Sequence, residues 1–358
     1  MTIMSDKNLL IIPTRNRSAK LKRILEWYAL NPARLRIVIL DASDDPIHKA
    51  SNERTAAAYT GFATRVATQD TDNIPARLLG FLPTVDDQIV ALGNDEDGYL
   101  PEFLDSAFEF LRGHPDYSLA TGKYITTSRP LLGVRRISYW TDTFVGMDVD
   151  EPDAALRVLN FQRLNSGGIP PLYWSVRRKS ALIESCRLSQ RLQFSSAHEL
   201  IDQICSCALG KISITDRPML LRDESKLKNI SIANRDVGKL YIGTEDLDRL
   251  NELALERWGA EVGLAARAVT SWYRPKVSGD SYLTRLGRKA YCRFSPPPGI
   301  PPNRMLSCLE WGVAKSCTAG VLLSQILAYF YYWKLMSLYG RGRDFLKMTR
   351  TMAVTKTS

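Results

Sequence analysis

The sequence predicts an α/β protein with a mostly parallel, Rossmann-like central sheet, flanking helices and a mainly helical C-terminal region. Short apolar runs typical of buried strands alternate with amphipathic stretches typical of helices over residues 9–111. This β-α-β-α order implies parallel strands joined by right-handed crossovers. Polar or acidic turns follow three of the strands, near Arg15, Asp41 and Asp95. Because parallel strands end at one edge of a sheet, we expect these turns to face one crevice.

Four pairs of a strand and a helix open the chain. The strands are predicted at 9–12, 35–40, 62–68 and 89–92, and the helices at 18–28, 46–60, 74–82 and 101–111. We expect Pro13 to end the first strand, and Asn31 with Pro32 to end the first helix.

Later elements follow at less regular spacing. Strands are predicted at 117–126, 172–177, 211–215 and 218–222, and helices from Ala181 onward and from Ser196 to Leu209. Gly210 is expected to stop the second of these helices. Residues 128–153 are irregular and rich in arginine and aromatic side chains, and they could form a loop over the crevice.

We predict two units, a domain at residues 1–225 and a helical region at residues 226–358, divided where polarity rises. The helical region contains an amphipathic helix at 246–258 and a stiff proline-rich connector at 295–303. Residues 316–333 carry no charge, end in aromatic side chains and are followed by cations. Two interpretations fit this segment: an interfacial helix at a membrane surface, or a helix buried against the main domain or a dimer partner.

The composition narrows the function classes. The 358 residues carry a net charge of +10, which suits phosphate-bearing ligands, nucleic acid or an anionic membrane surface. We find no nucleic-acid recognition motif and expect no such partner. The first strand lacks a glycine-rich turn, which disfavours a nicotinamide dehydrogenase. Six cysteines without CxxC spacing and only three histidines disfavour zinc and indicate reduced thiols. The thiols indicate a cytoplasmic location, and the membrane-surface interpretation of residues 316–333 would make the protein peripheral at the inner face of the membrane.

The acidic turn, defined as residues 94–97 with the sequence Asn-Asp-Glu-Asp, directly follows the predicted strand at 89–92 and Gly93. A helical pattern begins shortly after it, at Pro101. Neighbouring carboxylates repel each other, and a hard divalent cation that also holds phosphate oxygens would offset that repulsion. The alternative is a solvated turn, because Asp, Asn and Gly are common turn formers.

Five motifs occur in order along the chain. They are Ile-Pro-Thr-Arg-Asn-Arg at 12–17, Leu-Asp-Ala-Ser-Asp at 40–44, Ala-Arg-Leu-Leu-Gly at 76–80, the acidic turn, and His-Glu-Leu-Ile-Asp at 198–202. In this order and at these separations the set resembles the family 2 glycosyltransferases, which are inverting nucleotide-sugar enzymes with a GT-A fold. The resemblance covers residues 8–222 and implies a GT-A-like first domain.

The resemblance implies a nucleotide-sugar pocket at the sheet edge. Its residues would be Pro13, Thr14, Arg15, Asp41, Arg77 and Asp95. Asp41 would accept a hydrogen bond from the base, usually uracil, and Arg77 would lie beside the base or the diphosphate. The alternatives are that Asp41 is only a turn former and that Arg77 is an exposed helix cation.

The resemblance also implies that an acid-x-acid motif coordinates Mn2+ or Mg2+ and that the ion bridges the diphosphate. The spacing to Pro101 maps this motif onto Asn94-Asp95-Glu96, with an asparagine in the first position. Asp95-Glu96-Asp97 can also be read directly as the triplet. We predict Asp95 and Asp97 as the metal ligands, with Glu96 as the rival. A cation here would stabilise the departing diphosphate.

Inverting transfer needs a general base, which the family supplies from an acidic pair at a helix start. Counting back from Gly210 places Glu199 in that role, with His198 where the first acid usually stands. Asp202 lies one turn further on the same helix face. His198 is a second candidate for the base or for an acceptor contact. The alternative is a capping box from Ser196 to Glu199, in which Glu199 only satisfies backbone donors.

The sequence therefore predicts a metal-dependent inverting hexosyltransferase. It would move a sugar from a nucleotide-diphospho-sugar, with UDP as the expected nucleotide, to a glycan or lipid-linked acceptor. The C-terminal helices are expected to contact a membrane surface or to form a homodimer. Because Asn94 and His198 depart from the family pattern, the alternative is a non-catalytic nucleotide- or sugar-binding partner of another transferase.

Overall fold

A computed structural model describes residues 7–31, 34–68, 73–128, 136–139, 148–164, 172–193, 195–223 and 243–277. Helices and one sheet make up this part of the chain, which confirms the predicted α/β class. Three predicted features lie outside the described residues. They are most of the loop at 128–153, the proline-rich connector at 295–303 and the uncharged segment at 316–333.

The described strands form one sheet in the order β3-β2-β1-β4-β8-β6-β9-β5, with β7 paired to β6. They are β1 (Asn8–Thr14), β2 (Leu35–Asp41), β3 (Ala63–Ala67), β4 (Ile89–Leu92), β5 (Gly98–Tyr99), β6 (Tyr117–Ser128), β7 (Arg136–Tyr139), β8 (Val176–Arg178) and β9 (Lys211–Asp223). The predicted parallel pairing holds for β3-β2-β1-β4 and for β6-β9. In contrast, β5, β7 and β8 run antiparallel to their neighbours.

Helices cover both faces of this sheet. They are α1 (Ser18–Leu30), α2 (Pro46–Ala58), α3 (Ile74–Phe81), α4 (Pro101–Gly113), α5 (Ala154–Leu164), α6 (Lys179–Ser189), α7 (Ser195–Leu209) and α8 (Thr244–Val277). The sequence pattern missed α5. This helix buries Arg157 and Gln162 beside Val158 and Phe161, and it exposes Leu156 and Leu159, so its apolar residues do not mark one buried face.

Strand β1 continues past Pro13, so the prediction that this proline ends the strand is wrong. The Ile11 carbonyl accepts a hydrogen bond from the Gly93 N–H on the β4 side, at 2.8 Å. Backbone groups two residues apart in a strand point to the same side. Pro13 therefore turns its nitrogen to the side where β4 has already ended, and the sheet loses no hydrogen bond.

Two later strands differ from prediction in their extent. Residues 172–175 form turns and bends, and β8 begins only at Val176. The two predicted strands at 211–215 and 218–222 are one strand, β9. Its pairing with β6 shifts register between Thr121 and Lys123, where residues 215–217 bulge out of the ladder. The strand thereby passes Pro218 and reaches the acidic turn.

Alternate residues of β1 supply the cores on the two sheet faces. Leu10 and Ile12 belong to the cluster that α1 and α4 cover. Leu9 and Ile11 belong to the cluster that α3 and α6 cover. This period of two is what a strand buried on both faces requires, and it fixes the carboxyl ends of β1, β2 and β4 at one edge.

Helix α8 packs on α5 and α7 through a third apolar cluster that includes Leu247, Leu250 and Val269. A break at Gly259, with φ of 85°, divides it into two helical halves, and the predicted helix at 246–258 is the first half. Thr270 Oγ1 donates to Asn251 Oδ1 at 2.9 Å, so the second half lies against the first. In the described part of the chain, no helix is both long and apolar enough to cross a membrane.

Gly210 follows α7 for a different reason than predicted. Among the described glycines only Gly259 has a positive φ, so Gly210 is not a left-handed helix cap. A Cβ on Gly210 would lie 2.8 Å from the Ser118 nitrogen and 2.9 Å from the Asp116 oxygen. Both are backbone atoms, and glycine is therefore required because the start of β9 lies close against the start of β6.

We expect Gly210→Ala to lower the free energy of unfolding by about 1–3 kcal/mol, because the added methyl group overlaps backbone atoms that cannot move independently. Urea denaturation of the purified protein measures this. Gly113→Ala is the matched control, since a Cβ there meets nothing within 4 Å. Equal stability of the two variants would contradict the close packing at the start of β9.

Candidate active site

The acidic turn is folded by its own asparagine. Asn94 Oδ1 accepts the backbone N–H groups of Glu96 and Asp97, at 2.8 and 2.7 Å. This arrangement satisfies two backbone donors within the turn and sends the three carboxylates in different directions. Asn94 is therefore the residue that shapes the turn, in the position where the family motif has an acid.

The Asp95 side chain contacts the end of β1, and Asp95 is 2% exposed. Its Oδ2 accepts a hydrogen bond from Thr14 Oγ1 at 2.7 Å, and its Oδ1 lies 3.3 Å from Arg17 Nη1. Burial raises the pKa of this carboxyl above its ordinary value, although the Thr14 hydrogen bond and the Arg17 charge oppose the shift. The predicted residues Thr14 and Asp95 are thus in direct contact.

Glu96 turns toward α1. It forms ion pairs with Arg17, at 2.9 Å, and with Lys20. Burial alone would raise the pKa of Glu96, but the hydrogen bond and charge of Lys20 outweigh it and lower the pKa. The backbone carbonyl of Glu96 also accepts from Arg23 Nη2, at 3.0 Å. Glu96 therefore fixes α1 to the acidic turn.

Asp97 turns toward β9 and is 2% exposed. Its Oδ2 accepts from Arg222 Nε at 2.9 Å, from Arg222 Nη2 at 2.7 Å and from Asn94 Nδ2 at 2.8 Å. The short strand β5 follows at once and pairs Gly98 with Leu221 of β9, which brings Arg222 beside the turn. Within the described chain, no residue donates a hydrogen bond to Asp97 Oδ1.

Asp41, at the end of β2, is held by the protein itself. Its Oδ1 accepts the Ser43 N–H at 2.9 Å, and its Oδ2 accepts from Asn52 at 3.1 Å and from Arg65 Nε at 2.7 Å. Burial alone would raise the pKa of Asp41, but the hydrogen bonds from Ser43, Arg65 and Asn52 outweigh it and lower the pKa. Asp41 is therefore an ionised anchor for the turn after β2, and Arg65 lies on its outer side.

Arg77 joins the ends of two strands. Its Nη1 donates to the carbonyl oxygens of Thr14, at 2.8 Å, and Leu40, at 3.2 Å, and the side chain is buried. Arg77 is thus not an exposed helix cation. Pro13 is buried in β1, whereas Arg15 is partly exposed and pairs with Asp44 at 2.9 Å. The predicted nucleotide residues therefore lie together along one sheet edge.

Glu199, in the first turns of α7, lies near enough to Arg222, the ion-pair partner of Asp97, for the two charges to interact. Glu199 is partly exposed, and none of the described residues forms a hydrogen bond with its carboxylate. Burial raises the pKa of Glu199 to about 7, opposed by the positive charge of Arg222 and assisted by the negative charge of Asp202. A carboxylate that titrates near neutral pH and has a free side is suited to accept a proton. The capping-box alternative depends on the Ser196 side chain, which lies outside the described atoms.

Both carboxylate oxygens of Asp202 accept hydrogen bonds from buried side chains. Its two oxygens accept from Arg177 Nη1 at 2.6 Å and Nη2 at 3.0 Å, and Oδ1 also accepts from Ser185 Oγ at 2.6 Å. Arg177 and Asp202 are both fully buried. This bidentate pair ties α7 to β8 and α6, and it suits an anchor better than a group that contacts a substrate.

His198 lies against the residues that precede α7. Its Nε2 lies 3.4 Å from the Leu192 carbonyl oxygen, and burial lowers the pKa of the imidazole. Successive residues of a helix do not share a face, so His198 and its neighbour Glu199 contact different surroundings. Of the three residues predicted for catalysis, Glu199 is linked to the acidic turn through the charge of Arg222, which pairs with Asp97.

The carboxylates partly fit a divalent cation. No group of three or more His, Cys, Asp or Glu side chains within the described ranges is spaced to hold a metal. Mg2+, however, is commonly held by one or two carboxylates together with substrate phosphates and water. Asp95 and Asp97 offer such hard oxygen donors, and Asp97 Oδ1 is not engaged by a described residue. Glu96 fits this role less well, because Arg17 and Lys20 already pair with it.

The sequence reasoning gave Arg222 no role in the site, and it did not predict that Arg177 pairs with Asp202. Arg222 contacts Asp97, and its guanidinium lies 5.6 Å from the centre of the Tyr124 ring. Arg177 is a fully buried cation in the short strand β8. Because buried arginines are almost always paired, its place in a predicted strand could have indicated a buried acidic partner. Arg222 had no such local signal, because its partner is 125 residues away in sequence.

Comparisons with known proteins give structural likenesses only. No protein-family model and no curated protein sequence matches the chain. Among solved structures, Staphylococcus aureus TarS is 13% identical with a TM-score of 0.49, over 78% of this chain and 44% of TarS. The chain thus spans less than half the length of that protein. A TarS fragment in complex with UDP-GlcNAc is 14% identical with a TM-score of 0.49, over 80% of this chain and 79% of the fragment.

A mannosyltransferase from Pyrobaculum calidifontis, in complex with GDP-Man and Mn2+, is 12% identical with a TM-score of 0.44. That likeness covers 93% of this chain and 87% of the mannosyltransferase. The function proposed below rests on the residues of the site and not on these likenesses.

Proposed function

We propose that the protein is an inverting glycosyltransferase that uses a nucleotide-diphospho-sugar. The observation that carries this proposal is the arrangement around the acidic turn. Two buried carboxylates, Asp95 and Asp97, lie at the carboxyl end of β4, and a separate carboxyl with a pKa of about 7, Glu199 of α7, lies near Arg222, the partner of Asp97. Carboxylates that can hold a metal ion beside the diphosphate, and an independent one that can remove a proton, are what inversion in a single displacement would use.

Each residue has a role in this proposal. Thr14, Arg77 and Asp41 hold the ends of β1 and β2 in a fixed frame on which the nucleotide would lie. Arg17, just before α1, and Lys20, in its first turn, would face the diphosphate. Glu199 would take the proton of the acceptor hydroxyl. Asp202 would position Glu199 through its buried pair with Arg177.

We further propose that Asp97 and Asp95 would hold Mn2+ or Mg2+ when the donor is bound. The ion would supply Lewis-acid stabilisation of the departing diphosphate. The acceptor, whether glycan or lipid-linked, the UDP preference, and the contact of the C-terminal helices with a membrane or a second copy stay predictions. So does the cytoplasmic location.

A panel of UDP-, GDP- and dTDP-sugars with Mn2+, Mg2+ or a chelator tests the proposal, with release of nucleoside diphosphate as the readout. One donor is expected to be turned over, and the chelator is expected to reduce that turnover. A thermal shift with the same nucleotides adds a binding readout that needs no acceptor. Stabilisation by a nucleotide without release of its diphosphate from any donor would favour the non-catalytic alternative.

Asp97→Asn is expected to reduce transfer by about 100-fold or more, because the neutral amide is a poor ligand for a divalent cation and leaves Arg222 without its ion pair. The measurement is nucleoside diphosphate release over a range of Mn2+ concentrations. Asp86→Asn, which changes an acidic residue ahead of β4 and not in the acidic turn, is the matched control. Equal rates for the two variants would remove Asp97 from the mechanism.

A further inference from the structure

Arg222 contacts both Asp97 and Tyr124, and the roles proposed above do not explain this arrangement. Its Nε and Nη2 both donate to one oxygen of Asp97, at 2.9 and 2.7 Å. Its guanidinium lies over the ring of Tyr124, which is fully buried, with 5.6 Å between the carbon and the ring centre. The side chain is 18% exposed and the Asp97 side chain 3%. A contact so shielded from water is held far more firmly than a surface ion pair.

The described charged and titratable groups around Arg222 come from three parts of the fold. Asp97 and Glu96 belong to the acidic turn, Tyr124 to β6 and Glu199 to α7. A guanidinium is always protonated in proteins, so its charge is permanent. Without Arg222, Asp97 would be a buried carboxylate with only Asn94 as a donor, which is costly. Arg222 therefore does at Asp97 what a bound cation would do.

Resting on the glycosyltransferase function proposed above, we propose that Arg222 is a positioning residue that acts as the built-in counter-ion of Asp97 and competes with a divalent cation for it. An ion alone has to bind the other oxygen of a carboxylate whose charge the arginine already balances. A nucleotide diphosphate changes that balance, because its oxygens bring negative charge that the ion can bridge. The structure thus favours entry of the metal together with the donor.

Binding of Mn2+ to the purified full chain tests this, with free Mn2+ followed by electron paramagnetic resonance. Wild type is expected to bind Mn2+ weakly alone and at least tenfold more tightly with UDP or GDP present. Arg222→Met is expected to bind Mn2+ alone about tenfold more tightly than wild type, since it loses a pair of charge-assisted hydrogen bonds to Asp97. The gain in Mn2+ affinity that UDP or GDP gives should therefore be smaller for Arg222→Met than for wild type.

Arg217→Met is the matched control, because it removes the same charge from the same strand at an exposed position. Its Mn2+ affinity should equal that of wild type. If Arg222→Met does not fold, as judged by its thermal unfolding, Arg222→Gln replaces it, with the same expected direction. A purely structural arginine would give weaker Mn2+ binding when it is replaced, not tighter binding.

Unchanged or weaker Mn2+ binding by the Arg222 variants overturns the inference, as does undetectable Mn2+ binding by all the proteins. Neither result removes the proposed transfer, which is measured separately as release of nucleoside diphosphate by wild type. Conversely, a wild type that releases no diphosphate from any donor, while Arg222→Met still tightens Mn2+ binding, would remove the transferase and keep the competition at Asp97.

Discussion

Glu199→Gln is expected to reduce glycosyl transfer by about 100- to 10,000-fold, the usual contribution of a general base. The amide has nearly the shape of the carboxyl but cannot accept the acceptor's proton. Nucleoside diphosphate release with the preferred donor and acceptor measures the loss. Because burial disfavours the charged form of Glu199, the variant should unfold at the same temperature as wild type or higher.

Glu261→Gln, an exposed acid on α8, is the matched control and should keep full activity. Nucleotide binding by the Glu199 variant should also be retained, since the donor residues lie on other elements. Full transfer by Glu199→Gln would disprove the role of Glu199 as base. Loss of folding, rather than of activity, would instead support a structural role in α7.

The same carboxyl predicts the pH dependence of wild type. Burial raises the pKa of Glu199 to about 7, and only its deprotonated form can act as a base. The rate is therefore expected to rise with pH up to about 7 and then to level off, falling about tenfold per pH unit below the pKa. A rate independent of pH between 5.5 and 8 would contradict this assignment.

Arg177→Met is expected to lower the free energy of unfolding by about 3–5 kcal/mol, because it leaves the buried Asp202 carboxylate without a charge partner. This would be a large part of the stability of a typical domain. Urea denaturation measures it. The double variant Arg177→Met with Asp202→Leu should recover much of the loss, since replacing both members of a buried pair by apolar groups is often nearly neutral.

Arg249→Met is the matched control, because Arg249 and its partner Glu252 are both substantially exposed. Exposed pairs contribute about 0.2–1 kcal/mol. If Arg177→Met costs no more than this control, the buried pair is not the anchor of α7. Activity of the folded fraction provides a second readout, because a displaced α7 would also displace Glu199.

Local patterns were sufficient for the features that depend on neighbouring residues. The alternation of apolar runs predicted β1 to β4 and their helices, and the position of the acidic turn after β4 followed directly. The turns after β1 and β4 were expected to face one crevice, and the hydrogen bond between Thr14 and Asp95 agrees with that expectation. In these cases the sequence spacing and the three-dimensional arrangement are set by the same strand geometry.

Long-range partners were not accessible in this way. Nothing near Asp41 in sequence indicates that Arg65 would pair with it, and nothing near Asp202 indicates Arg177. Helix α5 was missed for a related reason, because it buries Arg157, which donates to backbone carbonyls elsewhere, among them that of Cys207. Gly210 is likewise required by the nearby backbone at the start of β6, and not by the end of α7. The residue types at these positions depend on tertiary packing, which overrides the local sequence pattern.

The pairing of β5 with β9 bears on the order in which the protein folds. The contact between Asp97 and Arg222 closes a loop of 125 residues, and contacts of such separation form slowly. While the chain is still being synthesised, the acidic turn exists before its counter-ion does. Cellular Mg2+ could bind the unfinished turn during that interval, and a ribosome-bound chain ending before residue 211 would then respond to the ion more strongly than the complete protein.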